Sequence, residues 1–267
     1  MPEAFFLDAP EGGQRFCLFH RAERAHARVL YVHPFAEEMN KSRRMAALQA
    51  RAWQAAGVSV LQMDLLGSGD SSGDFGDASW SDWLDDLQLA RSWLDGQGNA
   101  PLFLWGLRAG CLLASAVAQR WGDVSGQLWW QPPVSGKPLV QQWLRLKLAS
   151  AMKVEGGGKL ALDDIRAQLR AEQAIDIAGY RCSAALLDGL ERARLLAPTR
   201  GRLGWFELSR ASPPALLPVS QQTMADWAAE PAALHAEAVN GPAFWQSTEI
   251  EVAPQLLARS VDWLKRA

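Results

Sequence analysis

Along this chain, short apolar runs alternate with stretches in which apolar positions recur every three or four residues. The runs predict strands at residues 4–7, 15–20, 28–33, 58–64, 102–106, 127–131, 203–208 and 234–239. The later ones are short, almost wholly apolar and end in a polar residue or glycine, as strands buried on both faces do. The helical pattern predicts helices at 42–56, 79–94, 109–121, 183–195, 221–229 and 254–265. Gly57 stops the first of these; Ser79 or Ser81 caps the second, with Asp82 in its opening turn, and Gly96 ends it. Two strands without an intervening helix, followed by strand–helix alternation, specify an antiparallel edge on a mostly parallel, doubly wound sheet of eight strands. The rhythm breaks at residues 135–180. An amphipathic segment at 139–152, three glycines at 156–158 and a second helical pattern at 160–171 predict a helical lid inserted into a single domain spanning 1–267.

Composition narrows the setting. With 267 residues, 49 % apolar and 21 % charged, the chain is long enough to bury a large core. A formal charge of −2 supplies no basic field for nucleic acid or an anionic membrane. Cys17, Cys111 and Cys182 are too few and too scattered for a disulfide framework or a structural zinc site. The N-terminal residues lack a secretory pattern, and Arg108 and Arg120 interrupt the best candidate for a membrane span. A cytoplasmic location without a membrane span is the expectation. The 13 tryptophans against 2 tyrosines point to wide apolar contact surfaces.

Three loops leave the carboxyl ends of predicted strands, where open α/β sheets bind ligands. They are His33-Pro34-Phe35-Ala36-Glu37-Glu38-Met39-Asn40-Lys41-Ser42, then Asp64-Leu65-Leu66-Gly67-Ser68-Gly69-Asp70-Ser71, then Trp105-Gly106-Leu107-Arg108-Ala109-Gly110. Together they resemble the α/β-hydrolase superfamily from about residue 16 to residue 261. In that superfamily the first loop supplies part of an oxyanion hole, and the third is the nucleophile elbow, G-x-S-x-G. Gly106 and Gly110 are present, but Arg108 stands where the serine belongs. The resemblance places the triad acid after the strand at 203–208, where the chain reads Ser209-Arg210-Ala211-Ser212. It places the histidine after the last strand, where the chain reads Asn240-Gly241-Pro242-Ala243-Phe244-Trp245; His235 lies inside that strand. A standard serine-hydrolase mechanism is therefore expected to be absent.

The first loop with Arg43 and Arg44, Gly106-Leu107-Arg108 and Gly241-Pro242-Ala243-Phe244-Trp245 resemble the exosortase A system-associated hydrolase 2 family. That resemblance implies a hydrolase label for an ester or related acyl bond, and a place beside bacterial exopolysaccharide production and the sorting of PEP-CTERM proteins. It also implies a protein partner from that pathway. The alternative is a catalytically silent protein that binds a metabolite or acts as a scaffold there.

Arg108 carries the most chemical information. A guanidinium stays protonated, so it is neither nucleophile nor base. At a helix N-terminus the macrodipole disfavours it by about 0.3–1 kcal/mol, so an anion should face it. Glu37 or Glu38 would serve, and so would a ligand carboxylate, phosphate or sulfated sugar. The candidate binding set is thus Arg108 with His33, Phe35, Glu37, Glu38, Leu107 and Trp245, the last as a pocket floor. The ligand expected is small, and anionic or acyl- or glycan-derived. Cys111, one turn into the helix, is either a relocated thiolate or a small core residue. His33 points into the pocket or bonds its own loop, and the hydroxyls of Ser68, Ser71 and Ser72 satisfy a tight turn. His20 and His26 read as surface residues. No cluster at ligand spacing suggests a metal, and Gly67-Ser68-Gly69 opens no helix as a dinucleotide loop would, so no cofactor is expected.

Overall fold

The computed structural model of the protein describes residues 1–151, 162–227 and 233–265. The strands are β1 (Glu3–Asp8), β2 (Gln14–His20), β3 (Ala27–Val32), β4 (Val58–Met63), β5 (Leu102–Leu107), β6 (Gly126–Trp130), β7 (Ile175–Ile177), β8 (Tyr180–Cys182), β9 (Arg202–Ser209) and β10 (Ala233–Asn240). The helices are α1 (Glu37–Ala55), α2 (Trp80–Asp95), α3 (Ala109–Trp121), α4 (Lys137–Ala151), α5 (Leu162–Arg170), α6 (Ala184–Arg192), α7 (Pro218–Asp226) and α8 (Pro254–Lys265). Eight strands form one sheet in the order β1-β2-β4-β3-β5-β6-β9-β10. The β1–β2 and β2–β4 pairs are antiparallel, and the other neighbours are parallel. This is the α/β-hydrolase fold.

The pattern of burial follows from position in the sheet. β3, β5 and β6 are buried at every residue, whereas the edge strand β1 alternates between exposed and half-buried positions. Neighbouring tryptophans of one strand go to opposite faces. Trp129 joins the core under α2, α3 and the insertion, while Trp130 joins the core under α1 and α8. Ser79 and Asp82 form a reciprocal capping box that starts α2. Helix α1 begins at Glu37, five residues before the predicted start, because its first turn is made of the loop residues that read as a binding motif. Glu37 and Glu38 there suit the positive end of the helix dipole.

Between β6 and β9 the chain leaves the sheet to form α4, α5, the β7–β8 hairpin and α6. An antiparallel bridge between Ser135 and Arg194 closes the neck of this excursion, so it returns fourteen residues beyond the predicted end at 180. The hairpin was not foreseen; each arm is three residues, too short to show a period, and the turn has Ala178 and Gly179 at positive φ. The triple glycine at 156–158 lies outside the described residues. The excursion packs on loops leaving the sheet's carboxyl edge: Ser183 Oγ donates to the Ala78 carbonyl, and Phe75 and Tyr180 meet edge to face at 5.5 Å. Among the described residues no helix is long and apolar enough to cross a membrane.

Candidate functional site

The turn from β5 into α3 is built for close approach. A Cβ on Gly110 would lie 2.2 Å from the Val32 carbonyl oxygen, and one on Gly106 would lie 2.7 Å from the Cys111 Cα. Between them Arg108 has φ 53° and ψ −126°, a region that side chains other than glycine rarely occupy. The backbone is therefore that of a nucleophile elbow, presenting an arginine. Its N–H donates to the Trp130 carbonyl at 2.9 Å, and its own carbonyl accepts from the Cys111 N–H at 2.9 Å.

The guanidinium meets Glu38, with Nη2 to Oε1 at 3.1 Å and Nε to the two carboxylate oxygens at 3.2 and 3.3 Å. It lies 5.5 Å from the centre of the Trp245 ring. Both charged side chains are largely enclosed, at 13 % and 23 % exposure. The electrostatic logic is a cross-pairing of two helices. Glu38 sits favourably in the first turn of α1, Arg108 sits unfavourably at the start of α3, and their contact resolves the second by way of the first. Neither helix has a side-chain cap: the N-cap residues are Ala36 and Arg108, both at φ 53°.

The other predicted residues divide. Glu37 turns away from Arg108, toward Lys41 at 3.8 Å and the Tyr180 hydroxyl at 3.5 Å. Trp245 joins Arg108, and its indole Nε1 is buried without a partner. Phe35 is 1 % exposed and packs on Trp83 at 4.4 Å; Leu107 is wholly buried. Both are core residues and present no surface to a ligand. His33 is also buried, with both nitrogens engaged: Nδ1 lies 2.7 Å from the Pro34 carbonyl and Nε2 accepts from the Leu65 N–H. Burial pushes its pKa down, so the ring is neutral and fastens two loops instead of lining the Arg108 site. His20 corrects the surface expectation, being 1 % exposed in β2, and burial lowers its pKa as well.

The remaining nucleophile candidates are occupied structurally. Cys111 is fully buried, its thiol directed to the Trp130 carbonyl at 3.7 Å, and burial raises its pKa well above the ordinary thiol value. A thiolate nucleophile there is excluded on those grounds. Ser71 donates to the Asp64 carbonyl and accepts from the Phe16 N–H, while Ser72 accepts from the Gln14 N–H. These hydroxyls join the loop after β4 to β2.

At the acid position, Ser209 Oγ accepts from the N–H groups of Ala211 and Ala215. The nearest carboxylate in the strand is Glu207, which the sequence reading passed over, although an acid inside Leu203–Leu208 is itself a signal. It is 1 % exposed and accepts from Trp205 Nε1 at 2.9 Å, the Leu217 N–H at 2.7 Å and the Ser220 hydroxyl. Glu207 thus serves as a borrowed cap for α7. At the histidine position Phe244 is buried against Trp130 and Trp245. His235 lies back on β10, 44 % exposed and 3.3 Å from Glu237. No group of three or more metal-ligating side chains occurs among the described residues.

A cavity of about 770 Å³ lies within the excursion, between α4, α5 and α6. Val140, Leu144 and Leu187 give it an apolar wall, and Arg166 and Arg170 a charged one; none of the Arg108 set lines it.

Comparison with known proteins agrees with the fold. The family model described as serine aminopeptidase, S33, matches residues 23–178, more than half of the chain. Among solved structures, a thermostable carboxyl esterase from Bacillus coagulans, in complex with glycerol, superimposes with a TM-score of 0.68 at 14 % identity, covering 99 % of this chain and 98 % of that one. The esterase Est1E from Butyrivibrio proteoclasticus, with ferulic acid bound, gives 0.66 at 13 % identity over 98 % of each chain. XC6422 from Xanthomonas campestris, described as a serine hydrolase without a lid, gives 0.59 at 14 % identity over 99 % of this chain and 94 % of that one. At these identities the likeness is one of fold. No curated protein matches the chain.

Proposed function

The chain belongs to the serine aminopeptidase S33 family of α/β hydrolases, and from that premise we propose that it binds a small anionic, acyl- or glycan-derived molecule at Arg108 instead of cleaving an ester through a serine nucleophile. The observation that carries this reading is the elbow itself: its backbone is strained as in a serine hydrolase, yet it presents a permanently charged cation. Glu38 holds the Nε–Nη2 edge of that cation. An incoming carboxylate or phosphate would engage Nη1 or exchange with Glu38, and would meet the uncapped N-termini of α1 and α3. The unpartnered indole N–H of Trp245 supplies one more donor nearby. In this reading the insertion predicted at 135–180 acts as a lid; the support is in its described part, where the Tyr180 hydroxyl accepts from Asn40 in the first turn of α1 at 3.0 Å. By resemblance the ligand belongs to exosortase A-associated exopolysaccharide metabolism in the cytoplasm, with a protein of that pathway as partner.

The test uses the whole chain. Fluorophosphonate probes should fail to label it, and calorimetry with inorganic phosphate and octanoate should show binding that Arg108→Met abolishes. Stoichiometric labelling at a serine, or turnover of p-nitrophenyl esters that survives Arg108→Met, would overturn the reading in favour of a hydrolase with an unrecognised nucleophile. That second reading has the esterase-like structural neighbours in its favour.

A further inference from the structure

We propose that the chain carries a second, smaller binding site: a cavity between α1 and the β2–β4–β3 part of the sheet that takes a compact apolar molecule bearing one hydrogen-bond acceptor. The cavity has a volume of about 170 Å³. Phe16, Leu18, Met39, Ala46, Ala47 and Met63 form its apolar part, and Tyr31, His33, Arg43, Gln62 and Asp64 its polar part. A cavity of roughly 150 Å³ accepts benzene, so the volume suits a single six-membered ring.

Two donors give the cavity its chemical preference. Tyr31 is 94 % buried (6 % exposed), held by its ring against Trp105 at 4.1 Å, and its hydroxyl makes no hydrogen bond to a described residue. Gln62 on β4 also lines the space, and its Nε2 is buried without a partner. A buried donor left unpaired is costly, so an acceptor placed against Gln62 Nε2 and within reach of the Tyr31 hydroxyl is favoured. Asp64 at the rim takes Arg43 at 3.0 Å and the Asp70 N–H at 3.1 Å, both on Oδ2, and His33 has both nitrogens bonded. Away from that rim carboxylate, a carbonyl oxygen would find a hydroxyl and an amide N–H. The fitting class is therefore a monocarbonyl compound about the size of cyclohexanone. Arg108, Glu38 and Trp245 do not line this cavity, so the inference stands apart from the reading of the elbow.

Saturation-transfer NMR on the full chain, titrated with cyclohexanone and separately with benzene, tests it. Both should bind the native protein. Tyr31→Phe should weaken cyclohexanone about two- to tenfold, the range of one neutral hydrogen bond, and leave benzene unchanged. Gln62→Leu should act in the same way and serves if the tyrosine variant does not fold. Ala47→Leu, at a half-buried helix position, should fill the space and abolish both. Absence of transfer from either probe, equal weakening of both by Tyr31→Phe or Gln62→Leu, or full binding to Ala47→Leu would each overturn the proposal.

Discussion

Replacing Arg108 separately by alanine and by glycine divides the energetics of the elbow into two parts. Both variants lose the contact with Glu38. An exposed ion pair contributes about 0–1 kcal/mol, and breaking a buried one costs about 3–5 kcal/mol. At 13 % and 23 % exposure this pair falls between, so the shared loss should be about 1–3 kcal/mol. The variants differ in the backbone. At φ 53° and ψ −126° alanine keeps a strain of about 1–3 kcal/mol that glycine relieves. Glycine in turn loses about 0.5–1 kcal/mol more conformational entropy on folding. The glycine variant should therefore be the more stable by up to about 2.5 kcal/mol, with a central value of about 1 kcal/mol, or about 2–4 °C in Tm for a chain of this size. Urea unfolding followed by tryptophan fluorescence measures this directly, provided the m-value is the same for both. An alanine variant at least as stable as the glycine variant would refute the claim that the turn is strained.

Three further outcomes follow from the packing. Asp86→Ala should cost about 3–5 kcal/mol, because it strands Arg15, 4 % exposed and 2.6 Å from that carboxylate, whereas Arg15→Met with Asp86→Leu should recover most of the loss; a single variant within 1 kcal/mol of the native protein in urea would contradict this. His20 and His33 have pKa values lowered by burial, so the unfolded chain takes up protons first as pH falls below about 6.5. Their contribution is complete above that pH and declines on acidification by up to about 1.4 kcal/mol per pH unit for each histidine; His33→Gln should make the fall between pH 7 and 5 shallower, and an unchanged slope would remove His33 from the account. Arg108→Ser restores G-x-S-x-G without a base, so it should show no burst of p-nitrophenol; a stoichiometric burst would reveal an unrecognised base.

All eight strands of the main sheet were legible in the sequence: β3, β5 and β6, buried at every residue, show as nearly unbroken apolar runs, and the more exposed edge strands β1 and β10 as short runs bounded by turns. The elbow was equally legible, since its two glycines answer a steric demand: Gly110 is pressed against the Val32 carbonyl. What the sequence did not disclose depends on contacts between distant segments. The choice between Glu37 and Glu38 was decided by where α1 begins, and both carboxylates lie in its first turn only because the loop is shorter than its motif suggested. Phe35 looked like a site residue from its place beside His33, but Trp83 on α2, 48 residues away, claims it. Glu207 was passed over because its three donors include the start of a helix ten residues downstream. The hairpin at residues 175–182 leaves no periodic trace at all.

An arginine in this turn changes the field at the carboxyl edge as well as removing a hydroxyl. The N-termini of α1 and α3 lie at the ends of the neighbouring strands β3 and β5, and each contributes roughly half a positive charge. Glu38 cancels the guanidinium and Glu37 answers the α1 end, but α3 has no acidic residue in its first turn, so its positive end remains at the elbow after the ion pair has formed. Each helix end favours a nearby anion by about 0.3–1 kcal/mol, which alone yields only weak binding. Exchange with Glu38 leaves that carboxylate to be hydrated or rehoused, which removes much of what a new charge-assisted contact provides. The proposed ligand should therefore bind Glu38→Gln more tightly than the native protein, because the competing internal anion is gone while the neutral amide still fills its space. A calorimetric titration with phosphate at two salt concentrations distinguishes the possibilities. Tighter binding by Glu38→Gln that weakens with salt is the expected result. Equal affinity of native protein and variant would mean that the anion does not reach the guanidinium, and the functional reading of Arg108 would fail with it.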